Sequence, residues 1–290
     1  MDLNALGVFC FLDGLTGAQT GAFVRKVERW GYGALWFAET TGRESFSFAS
    51  YLLSQTERLV VATGIAVVYA YEPIATMNAS RTLGELFDAR FLLGLGVSNS
   101  RGNTRRGIPY DKPYTFMRAY LEKMRAAPYA APAPQHEPPI VLAGMMPKML
   151  QLAATATHGT HTYFTTREQI ARIRTAIGPK PWLCAELGVI LESDAAKARA
   201  AARRYMQVYL SVDHYVKRLR EIAFGDEDFV NGGSDRLVDA LIAWGSETTI
   251  RDRIAAYTKA GASHVCILPL HPEGGMVPDE RAVAALAPRQ

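Results

Sequence analysis

The sequence predicts an α/β protein that folds as a (β/α)₈ TIM barrel, with one domain spanning residues 1–290. About eight short apolar runs are nearly all separated by amphipathic stretches of helical length. Several of these runs are apolar on both faces, as parallel strands covered by helices must be. With 290 residues, 49% of them hydrophobic, the chain exceeds the ~250 residues typical of such barrels and can enclose one large core. A doubly wound open sheet is the alternative.

The strands and helices are predicted in strict alternation over most of the chain. The predicted strands are 5–12, 34–39, 59–68, 91–97, 139–144, 159–164, 181–191 and 262–270. The helices between them are predicted at 17–31, 46–57, 72–89, 112–126, 147–157, 166–178 and 247–261. Pro73 is well placed for a first helical turn, because proline needs no backbone N–H there.

The stretch 192–247 breaks this regular spacing. It contains a long helix rich in Ala and Arg, and a second helix is predicted near 234–244. We interpret 192–247 as a helical insertion between the seventh strand and its returning helix.

The composition argues against several classes of protein. The net charge of +4 is spread along the chain, and the densest cationic cluster, Arg101, Arg105 and Arg106, is more typical of a solvated surface than of an anion site. No nucleic-acid face is predicted. The three cysteines stand in apolar runs without metal-ligand spacing, so we expect buried thiols and no metal site.

The N-terminal stretch lacks the basic region of a signal peptide, and no apolar run approaches the ~20 residues that span a bilayer. We therefore expect a cytoplasmic protein with no membrane partner.

Polar residues follow the second strand directly. Glu39, Thr40 and Thr41 come after the apolar run 34–38. In (β/α)₈ barrels the chemistry occurs at the carboxyl ends of the strands, so these residues are predicted to face the barrel mouth. The alternative is that Glu39 makes a buried structural bond or caps the next helix.

Four stretches of the sequence resemble one family in their order. They are "GYGALWFAET", "LVVATGIAVVYAYEPIATMNASRTLGELFDARFLLGLGVS", "PPIVLAGMMPKMLQLAATATHG" and "AGASHVCILPL". They are similar to the bacterial-luciferase-like superfamily (the LLM class), and within it to the branch of probable coenzyme F420-dependent oxidoreductases. The resemblance implies a barrel with its cofactor at the C-terminal mouth, hydride transfer or monooxygenation on a small molecule, and a homodimer.

The same resemblance implies a cofactor site. Gly64 lies inside a strand, where glycine indicates a bulge or a close backbone approach. Deazaflavin members carry a cis peptide bond that the resemblance places at Gly64-Ile65; a simple bulge is the alternative. Met146 stands where relatives often have a glycine before a proline in the expected phosphate loop. The predicted cofactor-binding residues are Glu39, Thr40, Gly64, Ile65, Ala66, Val97, Ser98, Asn99, Asn103, Ala143, Gly144, Met145 and Met146.

The candidate catalytic residues are Glu39, Thr40 and His161. Thr40 and Asn99 occupy the positions where the sugar-phosphate dehydrogenase branch has a His base and a Glu acid. A threonine hydroxyl is far too weakly acidic to act as a base at neutral pH, which argues against sugar-phosphate oxidation. His161 could equally be a structural residue of its strand.

The predicted substrate pocket is aromatic and consists of Phe11, Tyr69, Tyr71 and Tyr163, each of which could also be plain core. The leading prediction is an F420-dependent oxidoreductase that transfers hydride between the deazaflavin C5 and a small, largely apolar substrate. An FMN-dependent luciferase-like monooxygenase and a barrel that binds a flavin or deazaflavin without catalysis are the alternatives.

Overall fold

Ten parallel strand segments form one sheet in the structure, a computed structural model that describes residues 1, 3, 6–275 and 277–288; eight barrel strands close into a ring, and one further short segment pairs outside it with the end of the strand Trp182–Ile190. The strands are β1 (Gly7–Cys10), β2 (Ala34–Phe37), β3 (Val60–Thr63), β4 (Ala66–Val67), β5 (Phe91–Gly96), β6 (Ile140–Ala143), β7 (Gly159–Thr162), β8 (Trp182–Ile190), β9 (Ile242–Trp244) and β10 (His264–Pro269). β10 pairs in parallel with both β1 and β8, and this pairing closes the ring. The predicted (β/α)₈ barrel is confirmed, with β3 and β4 together forming its third strand.

Helices follow the strands and cover the barrel. They are α1 (Gly17–Arg29), α2 (Ser45–Ser54), α3 (Pro73–Leu86), α4 (Ser100–Arg105), α5 (Pro113–Arg125), α6 (Pro147–Ala156), α7 (Arg167–Ile177), α8 (Ala195–Leu210), α9 (Asp213–Arg220), α10 (Asp235–Leu241), α11 (Glu247–Lys259) and α12 (Glu280–Ala285). Thr16 and Thr166 open α1 and α7 with reciprocal side-chain caps, because each has a glutamine three residues later. Pro73 is the first residue of α3, as predicted.

The buried apolar side chains form three clusters. One lies inside the barrel and includes Phe9, Trp36 and Leu92. A second and larger cluster lies between the strands and the covering helices. The third packs α8, α9 and α10 against β9 and the loop after β7. Cys10, Cys184 and Cys266 are all buried free thiols, which confirms the sequence prediction for them.

The stretch 192–247 differs from its predicted content. The helix predicted near 234–244 ends at Leu241, and Ile242–Trp244 is a strand that pairs with Gly188–Ile190 of β8. The extended conformation buries Ile242 and Ala243 against the end of β8, whereas a helix continuing there would lose that pairing. The helix α9 lies between α8 and α10 and was not predicted, nor was the short helix α4.

No helix in the described ranges is both long enough and apolar enough to cross a bilayer.

Candidate active site

A cavity of about 940 Å³ opens at the carboxyl ends of the barrel strands. Its wall brings together thirteen of the residues predicted from the sequence. They are Phe11, Glu39, Gly64, Ile65, Val97, Ser98, Asn99, Ala143, Gly144, Met145, Met146, His161 and Tyr163. Loops from different strands therefore converge on one space, as the barrel geometry predicts.

Five predicted site residues lie outside this wall: Thr40, Ala66, Tyr69, Tyr71 and Asn103. The Thr40 hydroxyl donates a hydrogen bond to Asp13. The Asn103 amide donates to the backbone carbonyls of Val97, at 2.9 Å, and Asn99, at 3.0 Å. These two hydrogen bonds fix the loop between β5 and α4.

The other three are held by their neighbours in the fold. Ala66 is wholly buried in β4. The Tyr69 ring stacks on Phe116, with ring centroids 4.2 Å apart. The Tyr71 hydroxyl donates to Glu39, behind the cavity wall.

The cavity floor is formed where the third strand of the barrel is interrupted. The peptide bond Gly64-Ile65 is cis, as the resemblance implies, and both residues face the cavity. The Ile65 side chain lies so close to β5 that a Cβ on Gly96 would stand 2.6 Å from its Cγ1. A Cβ on Gly64 would stand 2.5 Å from the Phe9 ring. A larger residue at either position would therefore force the neighbouring side chain to move.

Glu39 connects several loops of the mouth. Its side chain is only 3% exposed, and its Oε1 accepts from Arg106 at 2.7 Å. Its Oε2 accepts from Ser45 Oγ at 2.7 Å, from the Tyr71 hydroxyl at 2.9 Å and from the Val67 amide at 3.2 Å. A carboxylate with four donors is held in one orientation, and its lone pairs are already used. The geometry makes Glu39 a positioning residue of the mouth.

Arg106 is a site residue that sequence reasoning missed. The prediction that the cluster containing it is solvated surface is wrong for this member, because Arg106 pairs with buried Glu39 and also donates to the Thr40 carbonyl at 2.7 Å. The local density of arginines was the available signal. The partner, 67 residues away, could not be identified from that density.

His161 lies on the cavity wall in β7 and is 2% exposed. Its ring centroid is 4.5 Å from that of Trp36 and 5.7 Å from that of Phe9. Burial, with a smaller contribution from the charge of His264, lowers the pKa of His161 to about 3. The imidazole is therefore neutral at physiological pH and has no imidazolium proton to donate.

Three tyrosine hydroxyls form a chain beside His161. The Tyr163 hydroxyl hydrogen bonds to those of Tyr205 and Tyr209, at 2.8 Å each. Tyr163 and Tyr209 both line the cavity. Burial raises the pKa of Tyr163 and of Tyr205 well above the ordinary tyrosine value, so these groups stay protonated and can donate.

The loop after β7 is bound to two buried ionisable residues, Glu186 and Arg218. Phe164 has a positive φ of 54° and donates its backbone N–H to Glu186 at 3.0 Å. Burial raises the pKa of Glu186 to about 8. On the other side, Arg218 approaches the Phe164 carbonyl at 3.4 Å. No motif pointed to Glu186 or Arg218, because each belongs to an otherwise ordinary strand or helix.

One end of the cavity is suited to an anion. Met146, 41% exposed, precedes the first turn of α6 and does not cap it with its side chain. Lys148 lines the cavity at this turn, and Arg101 lines it from α4. Backbone amides at a helix start favour phosphate oxygens, and nearby cations add to that attraction.

The family of the chain follows from a comparison with known families. The model of the family described as "Luciferase-like monooxygenase" matches residues 6–264. The chain belongs to this family. The membership confirms the resemblance read from the sequence.

The individual relatives described next are at most 25% identical to this chain. A 5,10-methylenetetrahydromethanopterin reductase of Archaeoglobus fulgidus is 25% identical over 80% of this chain and 68% of its own length. The structure of an F420-dependent secondary alcohol dehydrogenase in complex with an F420-acetone adduct has a TM-score of 0.78 at 14% identity, covering 99% of this chain and 97% of its own. The oxygenating constituent of 3,6-diketocamphane monooxygenase from Pseudomonas putida, in complex with FMN, has a TM-score of 0.70 at 14% identity and the same two coverages.

Proposed function

We propose that the protein is an F420-dependent oxidoreductase that transfers hydride between the deazaflavin C5 and a small, largely apolar organic substrate. One observation carries this proposal. A single cavity joins the interrupted third strand at Gly64-Ile65 to the uncapped start of α6. Family membership and the names of the reductase and the dehydrogenase described above support the same reading.

The residues present fit a ring with a phosphate-bearing tail. The volume of about 940 Å³ is within the range of cofactor sites. Gly64 and Ile65 provide a backbone platform for the ring, while Ser98 and Asn99 offer polar groups at the wall. Lys148 and the α6 amides suit the phosphate. Met146 stands where the resemblance implies a small residue, and it lies on the cavity wall with 41% of its surface exposed.

When bound, the reduced deazaflavin supplies a hydride; the chain supplies position, shielding and a proton. Glu39 holds the mouth loops through its four donors, so the platform keeps one geometry. Phe9, Phe11 and Tyr163 exclude water from the apolar part of the cavity. Tyr163 is the proton donor that the geometry favours, since its hydroxyl is in a hydrogen-bonded chain, whereas His161 is neutral.

FMN-dependent monooxygenation is the second candidate. The family description as a luciferase-like monooxygenase supports this alternative, and the FMN complex from Pseudomonas putida shows that the same fold can hold FMN. The engagement of Glu39 and the neutrality of His161 also keep open a barrel that binds a cofactor without catalysis.

A turnover experiment separates the three. The purified protein is mixed anaerobically with reduced F420 and a panel of conjugated carbonyls and imines, and cofactor oxidation is followed by absorbance. The proposal predicts protein-dependent oxidation with at least one acceptor. A parallel reaction uses reduced FMN and oxygen with the same compounds. Oxygenation there without F420 turnover would favour the monooxygenase, and bound F420 that no acceptor oxidises would favour the non-catalytic barrel.

A further inference from the structure

The cavity wall contains a buried guanidinium, that of Arg218, which forms no ion pair in the described part of the chain; Glu221 acts on it only at longer range. Arg218 of α9 lines the cavity and is 4% exposed. Its Nε and Nη1 have no hydrogen-bond acceptor among the described residues. Its Nη2 reaches only the carbonyls of Phe164, at 3.4 Å, and Tyr163, at 3.5 Å, which are long for hydrogen bonds.

Arg174, a partly buried arginine of this chain, shows what a structural role looks like. The Nε and both Nη atoms of Arg174 donate to the carbonyls of Gly261, Gly178 and Pro181 and to the Ser263 hydroxyl, at 2.6 to 3.0 Å. All three nitrogens of the Arg174 guanidinium are thus satisfied by its surroundings. Those of Arg218 are not, and a buried charge without partners is costly unless a ligand supplies them.

The charged groups around Arg218 leave room for an anion. The carboxylates on the cavity wall are those of Glu39, which is paired with Arg106, and Asp213, which is exposed. Neither forms an ion pair with Arg218 in the described part of the chain. His214 also lines the cavity, and burial together with the charge of Arg218 lowers its pKa to about 4, so it adds no competing cation at neutral pH.

The walls next to Arg218 are aromatic. Its Cζ lies 5.1 Å from the ring centroid of Tyr215, and both Tyr215 and Tyr209 line the cavity. A ligand that satisfies this corner needs a planar apolar body and an oxyanion at one end, because guanidinium binds carboxylate in a bidentate geometry.

We propose that Arg218 is the recognition residue for an oxyanion in this cavity, and that the substrate is an aromatic or similarly planar carboxylate. This proposal depends on the proposed function, because only a catalytic site has a substrate. It narrows the class of substrate for that same site. The other source of an oxyanion is the tail of the cofactor itself, which carries phosphate and carboxylate groups. The two sources are separable by experiment.

The first experiment uses the protein without cofactor. Binding of benzoate and 2-naphthoate is measured by calorimetry beside their neutral amides, benzamide and 2-naphthamide. The wild type is expected to bind a carboxylate at least about tenfold more tightly than its amide. Arg218→Met should abolish that preference and leave amide binding unchanged. Arg218→Lys keeps the positive charge but loses the bidentate geometry of the guanidinium. It should retain part of the preference for carboxylate over amide.

Arg220→Met is the matched control. Arg220 is on the same helix, is exposed and pairs with Asp226 outside the cavity, so its loss should leave the carboxylate preference unaltered. Without ligand, Arg218→Met should melt no lower than the wild type, because the guanidinium it removes is uncompensated. Equal affinity of the wild type for carboxylate and amide, or an unaltered preference in Arg218→Met, would overturn the proposal.

The second experiment assigns the source. F420 and the deazaflavin riboside without the phosphate and carboxylate tail are titrated into the wild type and Arg218→Met. The proposal expects Arg218→Met to bind each of the two compounds as tightly as the wild type does. It also expects benzoate to bind the F420-loaded protein. Selective weakening of F420 would assign the oxyanion to the cofactor and overturn the substrate class. Failure of F420 to bind, with the carboxylate preference intact, would refute the proposed function and leave the anion site standing.

Discussion

At the scale of single residues, the site depends on buried charges whose partners come from distant parts of the chain. Glu39 follows β2, yet its donors come from the start of α2, from β4, from Tyr71 and from the end of α4. A buried carboxylate is stable only when such donors surround it. The same group therefore fixes several loops at once, and this determines the shape of the mouth.

Removal of the charged donor tests this role. Arg106→Met leaves Glu39 buried without its cation, and we expect a loss of about 3 kcal/mol in the free energy of unfolding. Arg105→Met is the control, since Arg105 is exposed on the same turn and its loss should cost less than about 0.5 kcal/mol. Urea denaturation of both variants measures the difference. Equal stabilities would show that Arg106 contributes no more than a surface residue.

Glu186 predicts a pH dependence of stability. Its pKa is raised to about 8 in the folded protein by burial, so between about 4.5 and 8 the folded state holds a proton that the unfolded state has lost. Stability must therefore fall as the pH rises through this window. From pH 6.5 to 8.5 the loss should be about 2 kcal/mol. His161, whose pKa is lowered to about 3 in the folded protein, is protonated near pH 6.5 only in the unfolded state, and it raises stability by about 0.4 kcal/mol over the same interval, which is smaller than the Glu186 effect and opposite in sign.

The variant Glu186→Gln keeps the shape of the side chain and removes its titration. It should lose the decline seen in the wild type between pH 6.5 and 8.5 when both are unfolded by urea. A decline of the same size in the variant would mean that another group causes it.

At the scale of elements, the cavity floor depends on how β5 packs against the third strand. Gly96 brings β5 close to Ile65, and Gly94 brings it close to the backbone of Thr63, where a Cβ would lie 2.0 Å from the carbonyl oxygen. The space beside both glycines is filled by atoms of the third strand, from Thr63 and Ile65.

Gly96→Ala should push the Ile65 side chain into the cavity. The new Cβ would meet Cγ1 and Cδ1 of Ile65 at 2.6 and 2.7 Å, and because this side chain can move, we expect a loss of stability of about 1–2 kcal/mol. Cofactor affinity should fall by about tenfold or more, because the displaced side chain occupies the platform for the ring. Thermal melting and a fluorescence titration measure the two effects.

Gly17→Ala serves as the control for Gly96→Ala, because Gly17 is helical and its added Cβ would meet, among the described residues outside its own helix, the Tyr51 hydroxyl oxygen at an ordinary contact distance of 3.9 Å. It should bind cofactor like the wild type. If Gly96→Ala did so too, the floor would not be the binding platform.

Periodicity made the eight barrel strands predictable, because each is a buried apolar run bounded by turns. Periodicity could not distinguish strand from helix at Ile242–Trp244, because these three apolar residues also fit the continuation of an amphipathic helix. Their extended conformation depends on pairing with β8, which the local sequence does not show. Strand ends located the mouth, and the family resemblance supplied most of the thirteen predicted residues that line it. Arg106 and Arg218 could not be assigned from the sequence, because their roles depend on which distant groups do or do not surround them.

At the scale of the whole molecule, the family resemblance predicts a homodimer. We retain this as a proposal, and sedimentation velocity measures it directly. The expected mass is twice the 31.8 kDa of the chain. A single species at the chain mass, at micromolar protein concentrations, would contradict it.

The central claim is that loops at one rim of the closed barrel hold a deazaflavin ring on the Gly64-Ile65 platform. A fluorescence titration of the purified protein with F420 and, separately, with FMN tests it most directly. The account predicts that F420 binds with a Kd of about 1 μM or tighter and that FMN binds at least about tenfold more weakly. Micromolar binding of FMN with no detectable binding of F420 would contradict it.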